Sequence, residues 1–113
     1  MALPNWRLQQ RSAVLGRSVE QHYATATNGA VTLGAASLTV LNQNPNRKFS
    51  VIVNDSANTI YLAFGNVAVG STGIRLNANG GVITFGLATD IPYTGIVTGI
   101  APAGASVVTF IES

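Results

Sequence analysis

His22 is the only histidine, and the only side-chain carboxylates are Glu20, Asp55, Asp90 and Glu112, so imidazole or carboxylate chemistry would have to be built from these five side chains. One imidazole cannot form a multi-histidine metal centre within a subunit, and with no cysteine there is no thiolate to complete one. A serine or threonine nucleophile would need His22 as its base, yet no G-x-S-x-G elbow occurs. His22 itself lies in a run where Val19, Gln21 and Tyr23 alternate with Glu20 and His22, which reads as a strand carrying a partly exposed histidine. Asp55 and Asp90 fall in expected loops, where aspartate commonly caps a turn with its own side chain. Two acids suffice for a glycosidase pair, but these four are scattered and no aromatic-lined groove accompanies them. Gly70, Gly73, Gly80 and Gly81 separate strand-like runs, with no Gly-Lys-Ser/Thr and no following helix to aim its N-terminus at a phosphate. Asn54-Asp55-Ser56 matches a glycosylation sequon, a short signal that means little without a secretory route. The chain therefore reads as a non-enzyme with no catalytic residue, cofactor or metal site.

What it has instead is a desert of charge. Between Phe49 and Ser113 the only charged residues are Asp55, Arg75, Asp90 and Glu112, and the whole chain is 9% charged, against roughly a quarter in an ordinary soluble domain. A small body with so few charges leaves neutral, semi-apolar surface for something else to cover, which points to a subunit of an assembly. The net charge of +2 is unevenly spread. Residues 1–48 hold Arg7, Arg11, Arg17, Arg47 and Lys48 against Glu20 alone, whereas residues 49–113 hold Arg75 against three acids. A basic arm on a near-neutral body suits an acidic protein surface or nucleic acid. The six basic residues are nevertheless split between arm and body, without the aromatic-studded basic sheet of single-strand binders, so nucleic acid is the lesser partner.

Residues 1–18, MALPNWRLQQRSAVLGRS, differ in character from the rest and lack the unbroken apolar run of a secretory signal, so nothing argues for export. Leu8, Leu15 and Val19 could share a helical stripe, but Trp6 and Val14 fall off it, and Pro4 and Gly16 confine any helix to about three turns, which is marginal alone in water. The expectation is an extended or partly helical arm that orders on a partner. Trp6, beside Arg7 and followed by Arg11 and Arg17, is the candidate anchor; the alternative is a tryptophan folded back over the open end of the sandwich.

From Val19 to Ser113 the pattern is strand and turn, which predicts a single all-β domain, an antiparallel β-sandwich or small jelly-roll-like body. Asn28–Gly29 reads as a hairpin turn, since both residues accept positive φ. Ala30–Leu33 and Ser37–Leu41 follow as strands, then a polar loop at Asn42–Asn46 closed by Pro45. Arg47–Asn54 reads as a central strand and Thr59–Phe64 as its return. Gly73–Leu76, Val82–Gly86, Ile96–Ile100 and Ser106–Ile111 complete the set, with a tight turn at Asn77–Gly81. Ile91–Ile111 is uncharged and long enough to cross a bilayer by count, but Pro92, Gly95, Gly99, Pro102 and Gly104 break it into two strands and a turn rather than a membrane helix. Apolar residues on both faces of Arg47–Asn54 and Thr59–Phe64 imply a covering layer on each face, part of it from a neighbouring subunit.

The run NPNRKFSVIVNDSANTIYLAFG at Asn44–Gly65 resembles a segment of small β-sandwich virion proteins of tailed bacteriophages: Asn-Pro-x-Arg before an apolar strand ending in Asn, a Ser-containing turn, then Ile-Tyr-Leu-x-Phe-Gly. The likeness continues through GIRL at Gly73–Leu76, the Gly80–Gly81 turn and a closing Ile/Val-rich pair ending in Glu112, covering roughly Ala30 to the C-terminus. It implies a structural role in the virion, assembled in the host cytoplasm: a capsid decoration (cement) protein, or alternatively a small tail, collar or fibre-base subunit. The implied partners are other copies of the chain, as a homotrimer, and the major capsid protein. In this resemblance Pro45 and Arg47 set up the central strand, Asn54 begins its tight turn and Gly65 ends the next strand. A carbohydrate-binding module is the remaining alternative, with Tyr23 and Tyr93 as its only loop-side aromatics.

Overall fold

The computed structural model describes residues 25–86 and 93–113. The expected arm at residues 1–18, the expected strand at Val19–Tyr23, and the 87–92 segment containing Asp90 and Pro92 lie outside these residues. Eight strands occur, with no helix among the described residues: β1 (Thr27–Leu33), β2 (Leu38–Leu41), β3 (Ser50–Asn54), β4 (Ile60–Phe64), β5 (Ile74–Leu76), β6 (Val82–Phe85), β7 (Val97–Ile100) and β8 (Ser106–Glu112). They form two four-stranded antiparallel sheets in the orders β1-β8-β3-β6 and β2-β7-β4-β5.

The order follows one rule. β1 pairs with β8, β2 with β7, β3 with β6 and β4 with β5. The chain is thus one long hairpin rolled up, with β3 against β8 and β4 against β7 closing the roll, the strand order of an eight-stranded jelly roll. Between the sheets Leu33, Val40, Leu41, Ile52, Ile60, Leu62, Leu76, Phe85, Val97, Ala101 and Val108 form one continuous core. The uncharged Ile91–Ile111 stretch contributes β7 and most of β8, and no helix among the described residues is long and apolar enough to cross a membrane.

Two expectations need correction. Asn28–Gly29 is not a turn: both residues lie inside β1, opposite Ile111 and Phe110 of β8. Gly29 is there because the Phe110 ring lies across it; a Cβ at this position would stand 2.4 Å from the ring. An aromatic covering a cross-strand glycine fixes register in the way a side-chain pair would. Gly29→Ala is therefore expected to lower stability by about 1–3 kcal/mol, the usual range for overpacking, read from urea unfolding, and Gly29→Ala with Phe110→Leu should recover most of it. If Gly29→Ala is neutral, the ring is not fixed there.

The second correction concerns Arg47. The expected strand Arg47–Asn54 begins only at Ser50. Asn44–Arg47 is a β-turn, with the Arg47 N–H donating to the Asn44 carbonyl (3.0 Å) and the Asn46 N–H to Asn44 Oδ1 (3.0 Å). Pro45 occupies the second turn position, where its fixed φ is favourable, and Asn44 the first, where its side chain can accept from the backbone. The turn points Arg47 into the protein rather than along a strand.

A candidate assembly surface on a body braced at both ends

Strand β3 has a buried polar centre at each end. At its start, the Arg47 side chain is fully buried. Its Nε donates to Glu112 Oε2 at 2.7 Å, one terminal nitrogen to the carbonyls of Tyr93 (2.7 Å) and Gly95 (3.0 Å), and the other to the carbonyl of Asn42 (2.6 Å). A guanidinium is the one side chain whose rigid fork of donors serves a carboxylate and several carbonyls together. Arg47 thereby ties the β2–β3 connection, the chain before β7 and the end of β8 to one point. An aromatic group closes the same end: the Tyr93 ring stacks on Phe64 (centroids 4.4 Å apart, 10° between planes), and Phe85 meets both edge-on. Gly65, at φ +77°, leaves β4 beneath Tyr93, where a Cβ would lie 3.2 Å from the hydroxyl.

At the other end of β3, Asn54 is fully buried. Its amide nitrogen donates to the carbonyls of Asn58 (2.7 Å), Leu76 (3.1 Å) and Asn77 (3.1 Å), and its Oδ1 accepts from Ser56 Oγ at 2.6 Å. Asn58 extends the set across the sandwich to Ser106 Oγ (3.1 Å). One side chain holds the β3–β4 turn against the β5–β6 turn. The sequon asparagine is therefore an internal brace, inaccessible to a glycosylating enzyme in the folded chain.

The remaining candidates separate. Asp55 follows β3 while Glu112 pairs in register with Ser50 at its beginning, so the two carboxylates stand at opposite ends of the strand, about 16 Å apart by strand rise, beyond the span of a glycosidase pair. Among the described residues no three His, Asp or Glu side chains cluster. Tyr93 offers no free platform to a sugar, since one face is on Phe64 and its hydroxyl donates to the Ile96 carbonyl at 2.9 Å. Trp6, Arg7, Arg11, Arg17, His22 and Tyr23 lie outside the described residues.

The two outer faces of the sandwich differ. On the β2-β7-β4-β5 sheet, the β4–β5 loop folds back over the strands. The Asn66 carbonyl accepts from Thr98 Oγ1 of β7 (2.6 Å), the Ala68 N–H donates to Ser37 Oγ (2.9 Å) and Gly70 packs on Pro102. To reach Ser37 before β2 from the end of β4, the loop must cross β7, and Ala68 beneath it is buried. The loop thus covers part of this sheet with the chain itself, while Leu38 on β2 and Val67 and Val69 on the loop remain exposed.

The other face is bare among the described residues. By the strand register its ten outward side chains are Asn28, Ala30 and Thr32 on β1, Val107, Thr109 and Ile111 on β8, Val51 and Val53 on β3, and Val82 and Thr84 on β6. None is charged, and Val82 is 54% exposed. Asp55 stands only at the rim, where its N–H donates to the Val107 carbonyl. Four strands 4.8 Å apart over about five residues give roughly 300 Å² of neutral, half-apolar surface. That is the lower end of the roughly 300–600 Å² of the largest apolar patch on a typical monomer, a patch that is often functional. In comparisons with known proteins, no family model, no curated protein and no solved structure matches this chain.

Proposed function

We propose that the chain is a structural subunit of a virion, a capsid decoration (cement) protein that stabilises the assembled head by binding other copies of itself and the major capsid protein. The carrying observation is the uncharged outer face of the β1-β8-β3-β6 sheet on a body braced by Arg47 and Asn54. The resemblance of Asn44–Gly65 to tailed-phage virion proteins supports the same reading. A ligand that binds only the assembled lattice stabilises it by its own binding free energy, and many copies on one rigid shell act together even when each binds weakly. The face, at roughly 300 Å², falls short of the ~800 Å² per partner of a standard interface. The N-terminal segment with Trp6, Arg7, Arg11 and Arg17 is assigned the remaining contact.

The test is addition of the full chain to heads lacking it, followed by cryo-electron microscopy. Hundreds of copies on the shell support the proposal, whereas density confined to a tail, collar or fibre base moves the protein to that position in the particle. Val53→Glu puts a carboxylate in the middle of the face, with an expected loss of shell occupancy of about tenfold or more from one unpaired buried charge and an unfolding midpoint close to wild type. Undiminished occupancy would take the face out of the interface.

A further inference from the structure

We infer that β1 is a docking edge for the β1 strand of a second copy, the two pairing antiparallel about a two-fold axis to give one eight-stranded sheet. The inference deepens the proposed assembly role by naming one partner. Its test reads self-contact alone, so shell binding and this contact can fail independently.

A sheet edge exposes unpaired N–H and C=O groups, and proteins usually blunt it by shortening, bulging or charging the strand. Three of the four outer strands here are blunted. β5 has three residues with Arg75 at its centre, β2 has four and a register shift between Thr39 and Leu41, and β6 has four. β1 is different. It runs seven residues, TNGAVTL, with no charge and no proline, and it pairs with β8 in unbroken register. At about 23 Å it is a long, regular, neutral edge, and among the described residues it is the outermost strand of its sheet.

The two described residues before it, Thr25 and Ala26, lie on its own line and not beside its free edge. The Thr25 carbonyl accepts from Ser113 Oγ at 3.0 Å, which carries the chain onward along the line of β1 past the end of β8. A two-fold axis normal to the sheet, by contrast, places both outer faces on the same side. The two uncharged faces then merge into one of roughly 600 Å², approaching one side of a standard interface where a single copy does not. The edge contact itself is a narrow strip, so the pair is weak in dilute solution and is consolidated where copies are concentrated on a surface.

The chain has no cysteine, so single introduced thiols report the contact without background. Asn28→Cys, Ala30→Cys and Thr32→Cys, all on exposed β1 positions, would be oxidised mildly in the full-length protein, singly and in equimolar mixtures that cover each two-fold register. Ala103→Cys in the β7–β8 connection is the control. In at least one β1 combination, disulfide dimers should form about tenfold or more faster than in the control, as expected for thiols held at millimolar effective concentration in ~0.1 mM protein. Adding a lysine at an exposed β1 position that does not carry the cysteine (Ala30→Lys or Thr32→Lys) should remove the advantage by setting like charges against each other across the contact, while Thr72→Lys should not. The inference is overturned if no β1 combination outpaces the control. It is equally overturned if Ala30→Cys links to Gln21→Cys of another copy but never to a β1 cysteine, which would assign the edge to the N-terminal segment. Sedimentation separates this two-fold contact from the expected homotrimer: a trimer without β1 cross-links also overturns it.

Discussion

Arg47→Ala is expected to lower the unfolding free energy by about 3–5 kcal/mol, the range found when one partner of a buried, hydrogen-bonded charge pair is removed. Three losses combine. Glu112, whose side chain is 17% exposed, loses its cation. The carbonyls of Asn42, Tyr93 and Gly95 lose the guanidinium that donates to them, and each acceptor left unmet away from water costs about 1–3 kcal/mol. The space of a fully buried arginine also opens beside the Phe64–Phe85–Tyr93 group. For a domain of this size the fall in Tm is roughly 15–30 °C, most of a typical stability margin. Arg47→Lys separates charge from geometry. An ammonium can face Glu112, but its compact head cannot serve carbonyls on three connections at once, so less than half of the lost stability should return. Denaturant unfolding of the three proteins settles this: recovery by lysine to near wild type would show that charge alone suffices and that the fork is incidental.

The contrast between Arg47 and the strands shows what the amino-acid sequence made legible. All eight strands were anticipated within a few residues, because each is a short β-branched run between turn signals, and the antiparallel sandwich follows from that spacing. The rolled-hairpin pairing was not, since nothing local tells β1 to choose β8. Asn28–Gly29 carries the residue pair of a hairpin turn, and only Phe110, distant in sequence, reveals why a glycine stands inside β1. Arg47 read as the first residue of a strand, and Glu112 as a terminal charge. The usable signal was their scarcity: in a body with almost no charge, an arginine directly after an Asn-Pro-Asn turn and a lone late glutamate are candidates for each other. The bare outer face was half legible. Alternation at Val51 and Val53 showed that β3 is apolar on both sides, but which sheet its own chain would cover depended on the path of the β4–β5 loop.

The placement of the two polar centres also explains how the protein holds an uncharged face without collapsing onto it. Arg47 and Asn54 bracket β3, which lies in the interior of the bare sheet and contributes Val51 and Val53 to it. Each centre draws its acceptors from connections at one end of the sandwich, so the loops at both ends of β3 are tied to the body. Rigidity of this kind lowers the ordering cost of binding, which suits a subunit whose partners meet it face on.

Asn54→Asp tests the second centre with almost no change of shape. Asparagine directs an NH₂ at the carbonyls of Asn58, Leu76 and Asn77; a carboxylate directs lone pairs at the same three acceptors. The variant should lose about 3–5 kcal/mol at pH 7, since donors are removed and a charge is buried facing negative dipoles. The deficit relative to wild type should depend on pH. Burial among carbonyls raises the folded-state pKa of the introduced carboxyl above its ordinary ~3.9, so the unfolded chain releases this proton more readily than the folded one. Below ~3.9 both states hold the proton, the neutral acid can donate to one carbonyl, and the deficit is smallest. As pH rises through and above that value, the deficit grows by up to ~1.4 kcal/mol per unit until the folded-state pKa is reached. Urea unfolding of variant and wild type side by side at pH 3.5, 5 and 7 reads this directly, and Asn54→Ala, which removes the donors without adding a charge, should show a deficit of about 2–4 kcal/mol that is flat with pH. An equal deficit for Asn54→Asp at all three pH values would mean that the side chain does not face the three carbonyls, and that the turn at that end of β3 is held by its backbone alone.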